Sequence, residues 1–170
     1  MISAFIISAL VVALDISLKY LVYTNMSVGD TIPVIKGVLN ITYVQNTGAA
    51  FGILSQHRWI FLVLSCLLIV LVALFILLCK NYHRLTYISA ALVLGGGIGN
   101  MVDRIALGYV VDYIDFKMFD FWVWVFNAAD AAVCIGAALF VIYLVFFDGK
   151  MTKAGKKAVL FDRKAEKDNE

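Results

Sequence analysis

Long uncharged apolar runs constrain this chain more than any other feature. Residues 59–79, 85–102 and 131–147 carry no formal charge over 21, 18 and 17 positions. A helix of about 20 apolar residues is what crosses a hydrocarbon core of about 30 Å. Composition agrees: 63% of the 170 residues are hydrophobic and 15% are charged, against roughly half and a quarter in a soluble domain. The surplus apolar surface must face lipid. The first 14 residues are also uncharged. They lack the basic start of a secretory signal and run on into Tyr20-Leu21-Val22-Tyr23. Spanning helices are therefore expected over about 2–23, 59–79, 85–107 and 127–147. The chain reads as one mainly α membrane domain, residues 1–147, with four transmembrane helices. A charged tail follows at 148–170, with seven Lys/Arg and five acids.

The segments between the spans differ in kind. Residues 24–58 hold the turn signals Gly29-Asp30, Pro33 and Lys36-Gly37. Leu39-Asn40-Ile41-Thr42-Tyr43 alternates apolar and polar, as a half-buried strand does. This predicts a small β-rich cradle at or above the headgroups, because an open sheet edge is not viable in hydrocarbon. Residues 80–84 form a tight basic turn. Residues 108–126 are expected to be a second, polar-aromatic loop, with Trp122 and Trp124 suited to an interfacial belt. Gly95 and Gly99 have the G-x-x-x-G spacing that lets helices pack closely. The three cysteines, Cys66, Cys79 and Cys134, lie in apolar stretches and are expected to be small buried hydrophobes. No His/Cys/acid cluster has metal-ligand spacing, so no metal or cofactor is expected. A net charge of +2 gives no reason to expect a nucleic-acid partner.

Lys80 and Arg84 in the short turn, and seven basic residues in the tail, place both on the cytoplasmic side by the positive-inside rule. Both termini are then cytoplasmic and both larger loops lie outside. That topology brings Asp15, Asp103, Asp112 and Asp130 to one level, the outer boundary of the membrane. Acids at such a depth are expensive and usually functional. Asp15 and Lys19 are spaced i,i+4 in the order that favours an ion pair. Asp112 and Asp130 can form a carboxylate pair that shares a proton, one member activating water and the other polarising a carbonyl. From spacing alone other roles stay open. Asp112 could be a turn residue bonded to backbone. Asp15, Asp103 and Asp130 could belong to a proton-coupled transporter, or the chain could be a non-catalytic assembly protein.

Five ordered motifs resemble those of the lipoprotein signal peptidase family. They are Asp15-Ile16-Ser17-Leu18-Lys19, Asn46-Thr47-Gly48-Ala49-Ala50-Phe51-Gly52, Gly99-Asn100-Met101-Val102-Asp103-Arg104, Gly108-Tyr109-Val110-Val111-Asp112-Tyr113-Ile114-Asp115 and Phe126-Asn127-Ala128-Ala129-Asp130. Tyr113 stands where Phe is usual, and Ala131 where some members have Ser. The resemblance implies an aspartic endopeptidase of the bacterial plasma membrane, with its site at the outer face. Its substrates would be diacylglyceryl-modified prolipoproteins, and globomycin-type peptides would inhibit it. Asp112 and Asp130 would be catalytic. Asn46, Asn100, Arg104 and Asn127 would orient substrate, with Asp15, Lys19, Gly48 and Asp103 as supports. A lipid-open groove would admit the diacyl group from the surrounding membrane lipid, and the 28–54 loop would lie over the site.

Overall fold

The computed structural model describes residues 2–48, 58–79, 82–117 and 124–148, without the side chains of 58, 61 and 148. Four helices are present: α1 (Ile2–Asn25), α2 (Arg58–Leu78), α3 (Arg84–Ala106) and α4 (Ala128–Tyr143), the last continuing into a π-helical turn, Leu144–Asp148. Three segments are long and apolar enough to cross a membrane: Ile2–Asn25, Arg84–Ala106 and Ala128–Phe147; α2 carries the shorter apolar stretch Leu62–Leu78. The apolar face of each helix is not hidden. Leu10 and Leu14 on α1, Leu67 and Leu71 on α2, and Ile135 and Val141 on α4 are all exposed, as expected of surfaces wetted by lipid rather than water. The same fact corrects the reading of the cysteines. Cys66 and Cys134 are exposed and Cys79 is half-buried, because an apolar side chain in lipid gains nothing by being covered with protein.

Helix α3 is the centre of the bundle and packs on α1, α2 and α4. Its glycines make that possible. A Cβ on Gly95 would sit 2.8 Å from the Ser8 carbonyl oxygen of α1, and one on Gly99 would sit 2.5 Å from the Asp15 carboxylate. A Cβ on Gly96 would collide with the Ala129 carbonyl of α4. The predicted close packing through Gly95 and Gly99 is therefore present, with α1 as the partner.

A four-stranded antiparallel sheet caps one end of the bundle. Its strands are β1 (Thr31–Ile35), β2 (Leu39–Asn46), β3 (Val110–Phe116) and β4 (Val125–Phe126), in that spatial order. Pro33 sits on edge strand β1, where a missing N–H breaks no ladder. Helix α3 stops at Leu107, and Gly108 follows at φ 85°. That left-handed turn suits glycine and sends the chain directly into β3. The expected loop over 108–126 is thus half strand. Its Val, Tyr, Ile and Phe content is what a strand wants, and the tight turn at Gly108 leaves no room for a longer connection. The predicted strand at 39–43 extends to Asn46. Between the pairs Ile41↔Ile114 and Val44↔Asp112, β2 spends one more residue than β3, a bulge of the kind that re-aims side chains. Tyr43, Val111, Tyr113 and Val22 pack together, with Leu18 and Met26 beside them. This cluster seats the sheet on the end of α1. The 49–57 part of the β-rich loop, Trp122, and the tail beyond 148 lie outside the described residues.

Candidate active site

Each chemistry-bearing side chain enters from a different element. Asp15 and Lys19 lie one helical turn apart on α1 and bond at 2.7 Å. The Lys19 ammonium also reaches Asp103 at 3.0 Å and the Asn100 side-chain oxygen at 3.0 Å. Three donors meet three acceptors, which is the full capacity of an ammonium group. Asp15 and Lys19 are 0% and 2% exposed, so the cluster is closed to solvent.

The two acids of this cluster tie the site together. Asp15 accepts the Ala129 N–H of α4 at 2.8 Å. Gly99 lets it pass, since a side chain there would occupy the carboxylate's position. Asp103 accepts the Val111 N–H of β3 at 3.0 Å. One ion cluster therefore fixes the start of α4 and the start of β3 against α1 and α3. Helix N-termini favour such negative charge.

The α4 N-terminus is built on Asn127. Its side-chain oxygen accepts the Asp130 N–H at 2.9 Å, and the Asp130 carboxylate accepts the Asn127 N–H at 3.3 Å. This is a reciprocal cap. It leaves both amide hydrogens of Asn127 free to act elsewhere. One bonds Asp112 at 2.6 Å and the other bonds Asn100 at 3.1 Å. Asn100 in turn donates to Asp130 at 2.7 Å. The two candidate catalytic acids are thus joined through a chain of two asparagines, Asp112–Asn127–Asn100–Asp130. Its amide orientations are fixed, because the Asn100 oxygen faces two donors while its nitrogen faces a carboxylate.

Asp112 is 2% exposed. Its second oxygen accepts from Asn46 at 2.8 Å. The Asn46 side-chain oxygen is held by the Gly48 N–H at 3.0 Å, which turns the amide nitrogen toward the acid. Burial pushes the Asp112 carboxyl up to about 7, and the nearby charge of Asp130 adds to the rise, against the pull of the Asn46 and Asn127 hydrogen bonds and of Lys19. Asp130 is less buried than Asp112. Arg104 donates to the Asn100 carbonyl at 3.2 Å, and its charge acts on Asp130, Asp112 and Asp103.

All ten residues singled out in the sequence, Asp15, Lys19, Asn46, Gly48, Asn100, Asp103, Arg104, Asp112, Asn127 and Asp130, fall in this one constellation. Asp115, which the sequence gives as the last residue of the fourth motif without a role, is buried on β3 and bonded to Thr42 at 2.7 Å and Lys117 at 3.1 Å. It braces β2 against β3 and faces away from the asparagine chain. Recognising β3 as a strand would expose this role. Tyr113 stands out in the sequence only as a departure in a motif. It is 5% exposed, and its hydroxyl has no hydrogen-bond partner among the described residues.

Known proteins resemble the chain across this whole region. The family model for signal peptidase (SPase) II matches residues 7–146. A lipoprotein signal peptidase of Halothermothrix orenii is 44% identical over 140 residues, 82% of this chain and 93% of that protein. One from Clostridioides difficile is 39% identical over 145 residues, 85% of this chain and 96% of that one. A solved bacterial membrane enzyme, determined by the in meso method at 2.3 Å, superposes with a TM-score of 0.79 at 34% identity, covering 85% of this chain and 88% of its own. Five motifs in order, a matching fold and close relatives over nearly their full length all lead to one conclusion: the chain belongs to the signal peptidase II family of bacterial membrane proteases.

Proposed function

We propose that this chain is a lipoprotein signal peptidase that cuts diacylglyceryl-modified prolipoproteins before the lipidated Cys, using Asp112 and Asp130 as an aspartic dyad. The observation that carries this reading is the asparagine chain linking the two acids in a partly buried, hydrogen-bonded frame. Such a frame preorganises polar groups, and preorganised groups need no rearrangement when charge develops in the reaction.

The two acids have different surroundings, and this divides their labour. Asp112 is buried and holds its proton up to about pH 7, so it is the acid that donates to the scissile carbonyl. Asp130 sits in the first turn of α4 near the Arg104 charge and is less buried than Asp112, so in this reading it is the carboxylate that takes a proton from water. The water oxygen bonds to the carbonyl carbon to give a diol; Asp130 then passes its proton to the amine nitrogen as the C–N bond breaks, and a diol hydroxyl returns a proton to Asp112 as the new carboxylic acid forms. Arg104, Asn46 and Asn100 hold the extended substrate backbone, a positioning role, while Asn127, buried with both amide hydrogens already bonded, holds the acids in place. No nucleophilic side chain is required.

All four helices cross the bacterial plasma membrane in this reading, α2 included, with both termini and the tail in the cytoplasm. The sheet and the dyad lie at the outer boundary, where the signal peptide meets the diacylglyceryl Cys. The groove beside them opens to membrane lipid, and globomycin-type peptides occupy it as inhibitors. The test is cleavage by membranes containing the full chain of two synthetic prolipoproteins, one diacylglyceryl-modified and one with a free Cys. The modified substrate should be cut at the bond before Cys and the free one left intact. A proton flux through vesicles without any cleavage would instead favour a transporter.

A further inference from the structure

The hydrogen bond that Asn46 gives Asp112 depends on the bulge just upstream in β2. In an antiparallel ladder, directly opposed residues point to the same face, and a slip of one residue sends every side chain to the other face. Had the register of Ile41↔Ile114 run on unbroken, Tyr43 would oppose Asp112, and Asn46 would lie on the far face of the sheet. Instead Thr42 and Tyr43 together oppose Tyr113, and Val44 pairs with Asp112. The extra residue puts Val44 and Asn46 on the Asp112 face. Asn46 pairs with Val110 and so stands diagonal to Asp112, within side-chain reach, and bonds it at 2.8 Å.

The turn that follows α1 keeps the extra residue in place. Tyr43 donates its N–H to the Asp30 carbonyl at 3.0 Å, and its own carbonyl accepts the Gly29 N–H at 2.9 Å. Both backbone groups of the bulge are thus spent on the turn, and the Tyr43 ring is buried against Val22, Val111 and Tyr113. The turn is tight. The Asp30 N–H bonds the Ser27 carbonyl at 3.0 Å, and the Asp30 carboxylate accepts the Ser27 N–H at 2.8 Å. Gly29 is its third residue, at φ 93°, a positive φ such as a type II turn has there and side-chain-bearing residues rarely adopt. A Cβ on Gly29 would meet nothing within 4 Å, so the backbone, not crowding, calls for glycine.

We propose that Gly29 and Tyr43 are positioning residues for the reaction: the left-handed turn at Gly29 pins the bulge at Tyr43, and the bulge aims Asn46 at Asp112. This role rests on Asp112 being half of the dyad. Both residues act through Asn46. Asp112 also feels Asp130 of α4, Lys19 of α1 and Arg104 of α3, and Asn127 bonds it from the start of α4. The Asn46 bond favours the carboxylate form, so a turn that lets Asn46 swing away leaves Asp112 holding its proton to higher pH.

The test is the pH dependence of kcat and KM for cleavage of a synthetic diacylglyceryl-prolipoprotein by membranes carrying the full chain. Wild type is compared with Gly29→Val, Gly29→Asn, Asn46→Ala and the Gly29→Val/Asn46→Ala pair. A β-branched side chain is strained at positive φ, whereas asparagine tolerates it. Gly29→Val should lower kcat about tenfold through misplacement of Asn46. It should also move the fall in rate at high pH upward by about one unit, the effect of losing one hydrogen bond to a charged group. Gly29→Asn should behave as wild type. In the Asn46→Ala background Gly29→Val should add nothing, because residues that act through one contact are not additive. Thermal unfolding checks that each variant is folded, and Gly29→Ala, a milder strain with the same expected direction, replaces Gly29→Val if valine is not accommodated. An unshifted pH profile in the folded variant, or full additivity with Asn46→Ala, would overturn the proposal and leave the dyad standing. Near-normal turnover by Asp112→Asn in the same assay would overturn the dyad and this role with it.

Discussion

Lys19 places one cation among three acceptors inside the membrane boundary. Breaking a buried pair by removing one partner costs about 3–5 kcal/mol. Lys19→Met should therefore lower the unfolding midpoint strongly, and activity should fall with it because Asn100 loses its anchor. A midpoint within a degree of wild type would contradict this. Asp112 gives a prediction in pH. Its carboxyl is raised from the ordinary 3.8 to about 7, so the folded state binds its proton more tightly than the unfolded chain does. The associated stability is complete below about pH 4 and is lost as pH rises through about 7. Asp112→Asn cannot ionise, so its midpoint relative to wild type should improve from pH 5 to pH 8. Turnover of wild type should decline above about pH 7 as the donor proton is lost; a rate that climbs through that range would reverse the two acid roles.

At the scale of elements, α3 is a scaffold with a small-residue face toward α1. A methyl at Gly99 would fall on the Asp15 carboxylate at 2.5 Å, and Asp15 holds the first turn of α4. Gly99→Ala should cost about 1–3 kcal/mol through overpacking and should also reduce turnover by displacing Asn127. A variant with wild-type turnover would show that α4 does not depend on Asp15 for its position. Three of the helices are legible in the sequence because uncharged apolar runs of 17 residues or more approach the length that crosses a bilayer, and α1 because its 14-residue run resumes after Lys19. Their starts are legible to within one residue, whereas α4 gives way at Leu144 to a π-helical turn that the apolar run does not reveal. β3 is not legible, since its two acids, Asp112 and Asp115, break the apolar alternation. Those acids are buried by hydrogen bonds from other elements, and no local pattern reveals such partners. The exposed cysteines, Cys66 and Cys134, mislead for a related reason. In a membrane bundle an apolar residue carries no information about which face is covered.

Across the whole molecule, the bundle and sheet serve to bring five separated motifs to one end. The ion cluster of Asp15, Lys19 and Asp103 locks three helices and the sheet into one frame, and the asparagine chain places both acids within it. The ordered motifs make the membership of the site readable from sequence. The asparagine chain and the role of Asn127 as both cap and bridge require the fold. Because the proposed function assigns catalysis to Asp112 and Asp130, the most direct measurement is cleavage of a diacylglyceryl-prolipoprotein by membranes carrying wild type, Asp112→Asn or Asp130→Asn at matched protein levels, followed by gel shift. Loss of an acid or base of this kind lowers rates by about 10²–10⁴-fold, so both variants should accumulate normally and leave the precursor uncut over the time in which wild type consumes it. Near-normal turnover by either variant would contradict the assignment of that aspartate to the catalytic pair.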